Sequence, residues 1–185
     1  MKQILLIIDA QQELIEGNQE QVAVFKKEQL ITNINLVIEK ASEFNVPIVF
    51  VRDLSVAEGK GKGFQVHEKI AVPKDTTFFD KTAMNSFHGT GLLNYLKSQA
   101  IEHIIVMGCA TQYCIDSAVR TATINGLDVT LVENGHSTIG SAVLSAEQII
   151  KHHNETLHRH DNVENFSIVR NAEEDLFYPT HNIYR

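Results

Sequence analysis

Cysteine is scarce in this sequence, which has only two, Cys109 and Cys114, among its 185 residues. A small secreted domain held together by disulfides would need more cysteines at regular spacings. A zinc site of the finger type would need paired cysteines or histidines at short spacings, and these two residues do not provide them. We therefore expect free thiols in a reducing cytosol, which leaves one of them available for chemistry.

Long apolar runs and basic clusters are also missing. The longest apolar runs, such as residues 4–8 and 104–107, are far too short to cross a bilayer, which takes about 20 residues. A net charge of −7 without a basic stretch disfavours nucleic acid as a partner. No apolar signal region with a cleavage site follows the first residues. These absences predict a cytoplasmic protein that binds neither membranes nor nucleic acid.

No linker rich in proline, glycine or serine divides the chain, and no internal repeat is visible. The hydrophobic share of 43% and the charged share of 21% are ordinary for a soluble globular protein. We therefore predict a single domain over residues 1–185, long enough to bury a substantial core.

Short apolar runs alternate with helical patterns along the chain. Continuous apolar runs are typical of parallel strands buried on both faces. We predict strands at residues 4–8, 48–51, 76–79, 104–107, 129–132 and 166–169. Helices are predicted at residues 24–44, 91–99, 112–125 and 141–158. The alternation predicts an α/β fold with helices on both faces of a parallel sheet. The apolar tail at residues 176–184 is expected to pack on this sheet or to form the seam of a homo-oligomer.

Chemically versatile side chains follow the predicted strands. Asp9, Asp53, Lys81 and the segment from Gly108 onward stand at or just beyond strand C-termini, the edge where parallel sheets bind ligands. Cys114 lies in the first turn of the helix predicted at 112–125, and the positive end of the helix dipole favours thiolate there. A cation near it would add to that effect, and a nearby carboxylate could accept and return the thiol proton.

Each of these residues also has an ordinary structural interpretation. Most cysteines are small buried hydrophobes, and we keep that interpretation for Cys109. A buried Asp9 must be paired, hydrogen-bonded or protonated, so it could cap a helix or pair with Arg52. Lys81 could be a surface lysine with its stem on an apolar wall. These interpretations stay open for each residue taken alone.

Three segments, in this order, resemble a known family. Residues 5–11 (LLIIDAQ) are similar to its opening strand, residues 81–92 (KTAMNSFHGTGL) to its lysine motif, and residues 106–118 (VMGCATQYCIDSA) to the segment around its nucleophile. This is the isochorismatase-like cysteine hydrolase superfamily. The resemblance runs from Ile4 to about His136. It implies a single-domain, Rossmann-like three-layer fold with a six-stranded parallel sheet.

The resemblance also implies a catalytic triad of Asp9, Lys81 and Cys114 that needs no cofactor. In the mechanism we hypothesise, the thiolate of Cys114 attacks a carbonyl carbon and forms a thioester. Asp9 protonates the departing amine and then activates the water that hydrolyses the thioester. Lys81 balances the charges of both groups. The substrate would be a small molecule with an amide or related C–N or ester bond.

By the same resemblance, the peptide between Cys109 and Ala110 would be cis. The N–H groups of Ala110 and Cys114 would then form an oxyanion hole. Phe87, Gln11 and Thr111 are the implied substrate-binding residues.

A departure from the family concerns metal. Nicotinamidases of this family bind a metal through an aspartate and histidines clustered after the second strand, whereas Asp53 has no neighbouring histidine here. The first histidine is His67, so we predict no metal. The late histidines are expected on a solvated helix face. The loop from Asp53 to His67 is expected to shape the pocket, and His136 and Ser137, beyond a strand C-terminus, could border it without an assigned role.

Three alternative functions are compatible with parts of this sequence. Isochorismatases proper hydrolyse a vinyl ether without a cysteine nucleophile, and the presence of Cys114 favours amide chemistry instead. A receiver domain with Asp53 as phosphoacceptor would want acidic residues after the first strand, where Ala10 and Gln11 stand. A non-catalytic binding protein on the same fold is the third, because fold alone does not establish function.

Overall fold

The computed structural model describes residues 1–184, which form one central sheet with helices on both faces. The seven strands lie in the order β3-β2-β1-β4-β5-β7-β6. They are β1 (Gln3–Ile8), β2 (Ile48–Asp53), β3 (Thr77–Lys81), β4 (His103–Cys109), β5 (Asp128–Ser137), β6 (Asp161–Asn162) and β7 (Asn165–Arg170). The α-helices are α1 (Gln12–Glu16), α2 (Lys27–Glu43), α3 (Gly61–Phe64), α4 (Leu92–Ser98), α5 (Asp116–Ile124) and α6 (Ala146–Leu157).

Six of these strands run parallel, which confirms the predicted α/β fold and its parallel sheet. The seventh, β6, has only two residues and pairs antiparallel with β7 at the edge. A strand of two residues is too short to show an alternation of apolar and polar side chains, so no pattern predicted it. The sheet grows outward from β1 in both directions, and the order of the chain reverses between β1 and β4.

The first strand shows why a continuous apolar run predicts a parallel strand. Leu5 and Ile7 pack in the core beneath α2, while Ile4, Leu6 and Ile8 pack in the core beneath α4 and α5. All five are fully buried. Burial of each such side chain contributes about 1.5–3 kcal/mol. Both faces of the sheet are therefore closed to solvent at its centre.

The helix boundaries differ from the predicted ones. The helix predicted at residues 24–44 is Lys27–Glu43, and the one predicted at 141–158 is Ala146–Leu157. The latter begins where Ser145 and Gln148 form a capping box, which fixes its N-terminus. The helix predicted at 112–125 begins instead with a π-helical turn, Thr111–Ile115, before α5. In this turn the N–H of Ile115 donates to the carbonyl of Ala110, five residues earlier.

The C-terminal tail packs on the chain's own body. Leu176 and Phe177 are buried in the core beneath α2, whereas Tyr178 and Ile183 are exposed. The ammonium of Lys40 on α2 donates to two carbonyls of the segment that precedes the tail. A homo-oligomer stays a prediction. Among residues 1–184 no helix combines the length and apolar character that a membrane span requires.

Candidate active site

Three adjacent strands deliver charged residues to one edge of the sheet. Asp9 follows β1, Asp53 ends β2, and Lys81 ends β3. Asp53 and Lys81 are direct partners in the parallel register of β2 and β3. Cys114 arrives from the other side, in the turn after β4. All four therefore meet at the carboxyl end of the sheet, beside the point where strand order reverses.

Lys81 is the centre of this cluster and is only 1% exposed, so it is not a surface lysine. Its Nζ lies 2.9 Å from Asp9 Oδ2, 2.5 Å from Asp53 Oδ2 and 3.5 Å from Cys114 Sγ. One carboxylate oxygen of each aspartate and the sulfur lie within 4.8 Å of one another. Such a set of atoms could ligate a cation. Here the lysine ammonium lies among them and supplies the positive charge.

The surroundings perturb the acidity of every member. Burial raises the pKa of Asp9 to about 6, although the charge of Lys81 opposes this. Burial and the charge of Asp9 raise the pKa of the Cys114 thiol to about 12, against the opposing effect of Lys81. Burial also raises the pKa of Asp53, but hydrogen bonds from Lys81 and Ser55 outweigh it and leave the pKa below its usual value. Burial lowers the pKa of Lys81, but its acidic neighbours, Asp9 first, bring it above its ordinary value.

These values correct the expected state of the nucleophile. The sequence predicted a thiolate stabilised by a cation and by a helix dipole. In the structure the single ammonium of Lys81 is shared by two carboxylates, and Cys114 lies in a π-helical turn rather than at the start of an α-helix. Resting Cys114 is therefore a thiol at neutral pH. Asp9 is mostly ionised there and can accept the thiol proton.

The loop that presents Cys114 is held close to β1. The peptide between Cys109 and Ala110 is cis. Gly108 has a φ of 121°, and a Cβ there would lie 1.9 Å from the carbonyl oxygen of Ile8, so only glycine fits. The carbonyl of Ala110 accepts the N–H groups of Tyr113 and Ile115, which winds the loop tightly. An oxyanion hole at the N–H groups of Ala110 and Cys114 stays a prediction. Cys109 itself is fully buried, as we expected for a packing residue.

The Gln11 side chain holds protein groups instead of facing a substrate. It is fully buried, accepts the N–H of Asp53 at 2.8 Å, and donates to the carbonyls of Asp53 and Phe64 at 3.1 and 2.9 Å. We therefore reassign Gln11 from substrate binding to fixing Asp53 and the short helix α3. The cause is the return of loop 53–75 to the segment that follows β1, where the carbonyl of Ala10 accepts the N–H of His67. The sequence could not show this return.

Thr111 is likewise fully buried, and its hydroxyl lies 2.9 Å from His136 Nδ1. On the other side of the ring, His136 Nε2 lies 2.8 Å from Asn154 Oδ1, while the Asn154 amide donates to the carbonyl of Glu133. The Asn154 oxygen must accept, so Nε2 carries the proton and the Thr111 hydroxyl donates to Nδ1. Burial lowers the pKa of His136 to about 4, which keeps it neutral. Thr111 thus ties the nucleophile loop to β5 and α6 rather than donating to a substrate.

The structure also places the other residues that the sequence analysis singled out. Phe87 is half-buried against the core beneath α4 and α5, and its contact with substrate stays a prediction. His67 is buried, and its Nε2 lies 2.9 Å from Oε1 of Glu16. Arg52 pairs with Asp80 rather than with Asp9. Sequence reasoning did not recognise Asp53 as the second partner of Lys81, although its place at a strand end was the available signal.

Known proteins share this arrangement of the chain. The isochorismatase domain matches residues 3–151. YrdC of Bacillus subtilis, an uncharacterized isochorismatase family protein, is 24% identical over 144 residues, which is 75% of each chain. An isochorismatase from Pseudomonas putida superposes with a TM-score of 0.80 at 25% identity, over 92% of this chain and 88% of that one. N-carbamoylsarcosine amidase from Thermoplasma acidophilum has the same fold, with a TM-score of 0.74 at 19% identity over 94% and 98% of the two chains.

The match to the isochorismatase domain covers most of the sequence, including the first strand, the lysine strand and the cysteine turn. This match excludes the alternative that the chain is a receiver domain with its carboxylates at the strand ends. The chain is an enzyme of the isochorismatase family of hydrolases.

Proposed function

We propose that this protein is a cysteine-dependent, amidase-like hydrolase of a small C–N substrate, with Asp9, Lys81 and Cys114 as its catalytic residues. One observation carries the proposal. A buried ammonium lies within 3.5 Å of a thiol and 2.9 Å from a carboxylate whose pKa is about 6. A base with that pKa accepts a proton near neutral pH and can return it to a leaving group.

The first half of the reaction forms a thioester. Cys114 gives its proton to Asp9 as the sulfur attacks the carbonyl carbon, so the thiolate exists only while the C–S bond forms. The negative charge that moves to the carbonyl oxygen is stabilised by the N–H groups of Ala110 and Cys114. Lys81 stabilises the charge that develops on sulfur. As the intermediate collapses, the C–N bond breaks and Asp9 donates its proton to the leaving nitrogen.

The second half hydrolyses the thioester. Asp9, ionised again, takes a proton from water while the water oxygen attacks the acyl carbon. The C–S bond breaks, and the departing sulfur recovers its proton from Asp9. Both halves use the same carboxyl group as base and then as acid, which requires a pKa close to the working pH.

Two features limit the range of possible substrates. Cys114 is only 8% exposed, which favours a small molecule as the substrate that carries the carbonyl group. The shared fold of N-carbamoylsarcosine amidase favours C–N bonds of primary amides and carbamoyl groups as the first compounds to test.

The test is ammonia release from a panel of small primary amides and carbamoyl compounds. Cys114→Ala should lower kcat/KM by on the order of 10³-fold or more, as loss of a nucleophile does in other hydrolases. Cys109→Ala is the matched control, because it removes the other thiol from the core and not from the cluster. Full turnover by Cys114→Ala would refute the thioester route. Absence of ammonia release from the whole panel, together with hydrolysis of a vinyl ether by both wild type and Cys114→Ala, would favour the isochorismatase-type reaction, which needs an acid but no thiol.

A further inference from the structure

Asp53 is held more firmly than any other member of the cluster. Its Oδ1 accepts the N–H and the hydroxyl of Ser55 at 2.8 and 2.6 Å, and its Oδ2 accepts from Lys81 at 2.5 Å. Its backbone is paired in both directions with the Gln11 amide. Both the position and the rotation of this carboxylate are therefore fixed, with one oxygen directed at the lysine.

Asp53 gives the cluster a second carboxylate against the single ammonium of Lys81. The ionisable groups that face one another there are Asp9 from β1, Asp53 from β2, Lys81 from β3 and Cys114 after β4, with Cys109 behind them. Lys81 lies closer to Asp53 than to Asp9, at 2.5 against 2.9 Å. Since Asp53 is the more acidic carboxyl, it is ionised first and neutralises the ammonium. The negative charge of Asp53 thus opposes the effect by which the ammonium makes Asp9 and Cys114 more acidic.

We propose that Asp53 is a positioning residue that neutralises Lys81, and so holds Cys114 as a thiol and Asp9 as a base strong enough to take its proton. Asp53 acts through Lys81 and does not touch the substrate. The inference rests on the proposed function for its role in turnover. Its effect on the acidity of Cys114 is measurable without any substrate.

Asp53→Asn removes the charge and keeps the size of the side chain. The ammonium of Lys81 then acts on Asp9 and Cys114 alone, and both should become more acidic. One oxygen of each carboxylate and the sulfur lie within 4.8 Å of one another. Removing a negative charge this close lowers the pKa of a neighbouring acid by about half a unit or more. A thiol that is more acidic by that amount is alkylated about 3-fold faster at pH 7, because the thiolate fraction rises in proportion. The acid limb of kcat/KM should move to lower pH by a similar amount.

The experiment measures iodoacetamide alkylation of Cys114 between pH 6 and 10. Both cysteines lie on the tryptic peptide 98–120, so fragment ions must assign the adduct to Cys114 rather than Cys109. Asp53→Glu restores the charge and should bring the profile back toward the wild type. Ser55→Ala is the structural control, because it removes one hydrogen bond to Asp53 and leaves every charge in place.

The proposal is supported if Asp53→Asn alone shifts the profile to lower pH. It is overturned if that variant keeps the wild-type profile, or if Ser55→Ala shifts it equally. Should Asp53→Asn fail to fold, Asp53→Ser offers the same loss of charge with space for water. Failure of the proposed function is a separate result, because it appears as turnover by Cys114→Ala whatever the alkylation profile shows.

Discussion

Asp9 should be essential for catalysis and harmful to stability at neutral pH. Its carboxyl is fully buried and has a pKa of about 6 in the fold, against an ordinary value of 3.8. Because the pKa is higher in the folded protein, proton binding to Asp9 stabilises the fold. That stabilisation is complete below about pH 3.8 and is lost as the pH rises through about 6. At 1.36 kcal/mol per pH unit, the ionised carboxylate costs on the order of 3 kcal/mol at pH 7.

Asp9→Asn imitates the protonated carboxyl at every pH. We expect its free energy of unfolding to exceed that of the wild type by a margin that grows between pH 4 and pH 7, by up to ~3 kcal/mol. Urea denaturation at a series of pH values measures the difference, and groups that titrate equally in both proteins cancel. The same variant should lose its hydrolytic activity.

Asp53→Asn is the matched control, and its expected sign is opposite. The pKa of Asp53 is lowered in the fold, so its contribution to stability is present above the unfolded value and is lost as the pH falls through the folded one. This variant should therefore be less stable than the wild type at pH 7. A difference for Asp9→Asn that is the same at pH 4 and pH 7, or a loss of stability at pH 7, would refute the reasoning.

Two further predictions concern the pH profile and the nucleophile loop. The value of kcat/KM should fall about tenfold per pH unit below about pH 6, because protonated Asp9 cannot accept the thiol proton; a profile that stays flat to pH 5 would contradict this. Gly108→Ala should cost on the order of 3 kcal/mol or more in thermal or urea unfolding, since its Cβ would lie 1.9 Å from the backbone of β1. Gly61→Ala is its control, with a φ of +68° but open space around the added carbon, and it should cost clearly less.

The sequence predicts the sheet, and it predicts the edge of the sheet where the site residues come together. Both depend on local patterns. A run such as residues 4–8 identifies a strand buried on both faces, and residues at the ends of parallel strands share one edge. Asp9, Lys81 and Cys114 could be placed together on those grounds. Their proximity in the structure follows from the same topology.

What the sequence does not show depends on register and on side-chain direction. The partnership of Asp53 with Lys81 follows from the register of β2 on β3, which no local pattern encodes. Gln11 turns inward because a distant loop supplies backbone partners. The resting state of Cys114 depends on the count of charges within a few ångströms, and that count includes Asp53.

The central claim is that Cys114 is the nucleophile and carries the acyl group. The most direct measurement is a rapid acid quench during turnover of an amide that releases ammonia, followed by mass spectrometry of the protein. We expect an acyl adduct whose fragment ions assign it to Cys114, and no adduct on Cys114→Ala. Turnover without any adduct on Cys114, or undiminished turnover by Cys114→Ala, would contradict the account.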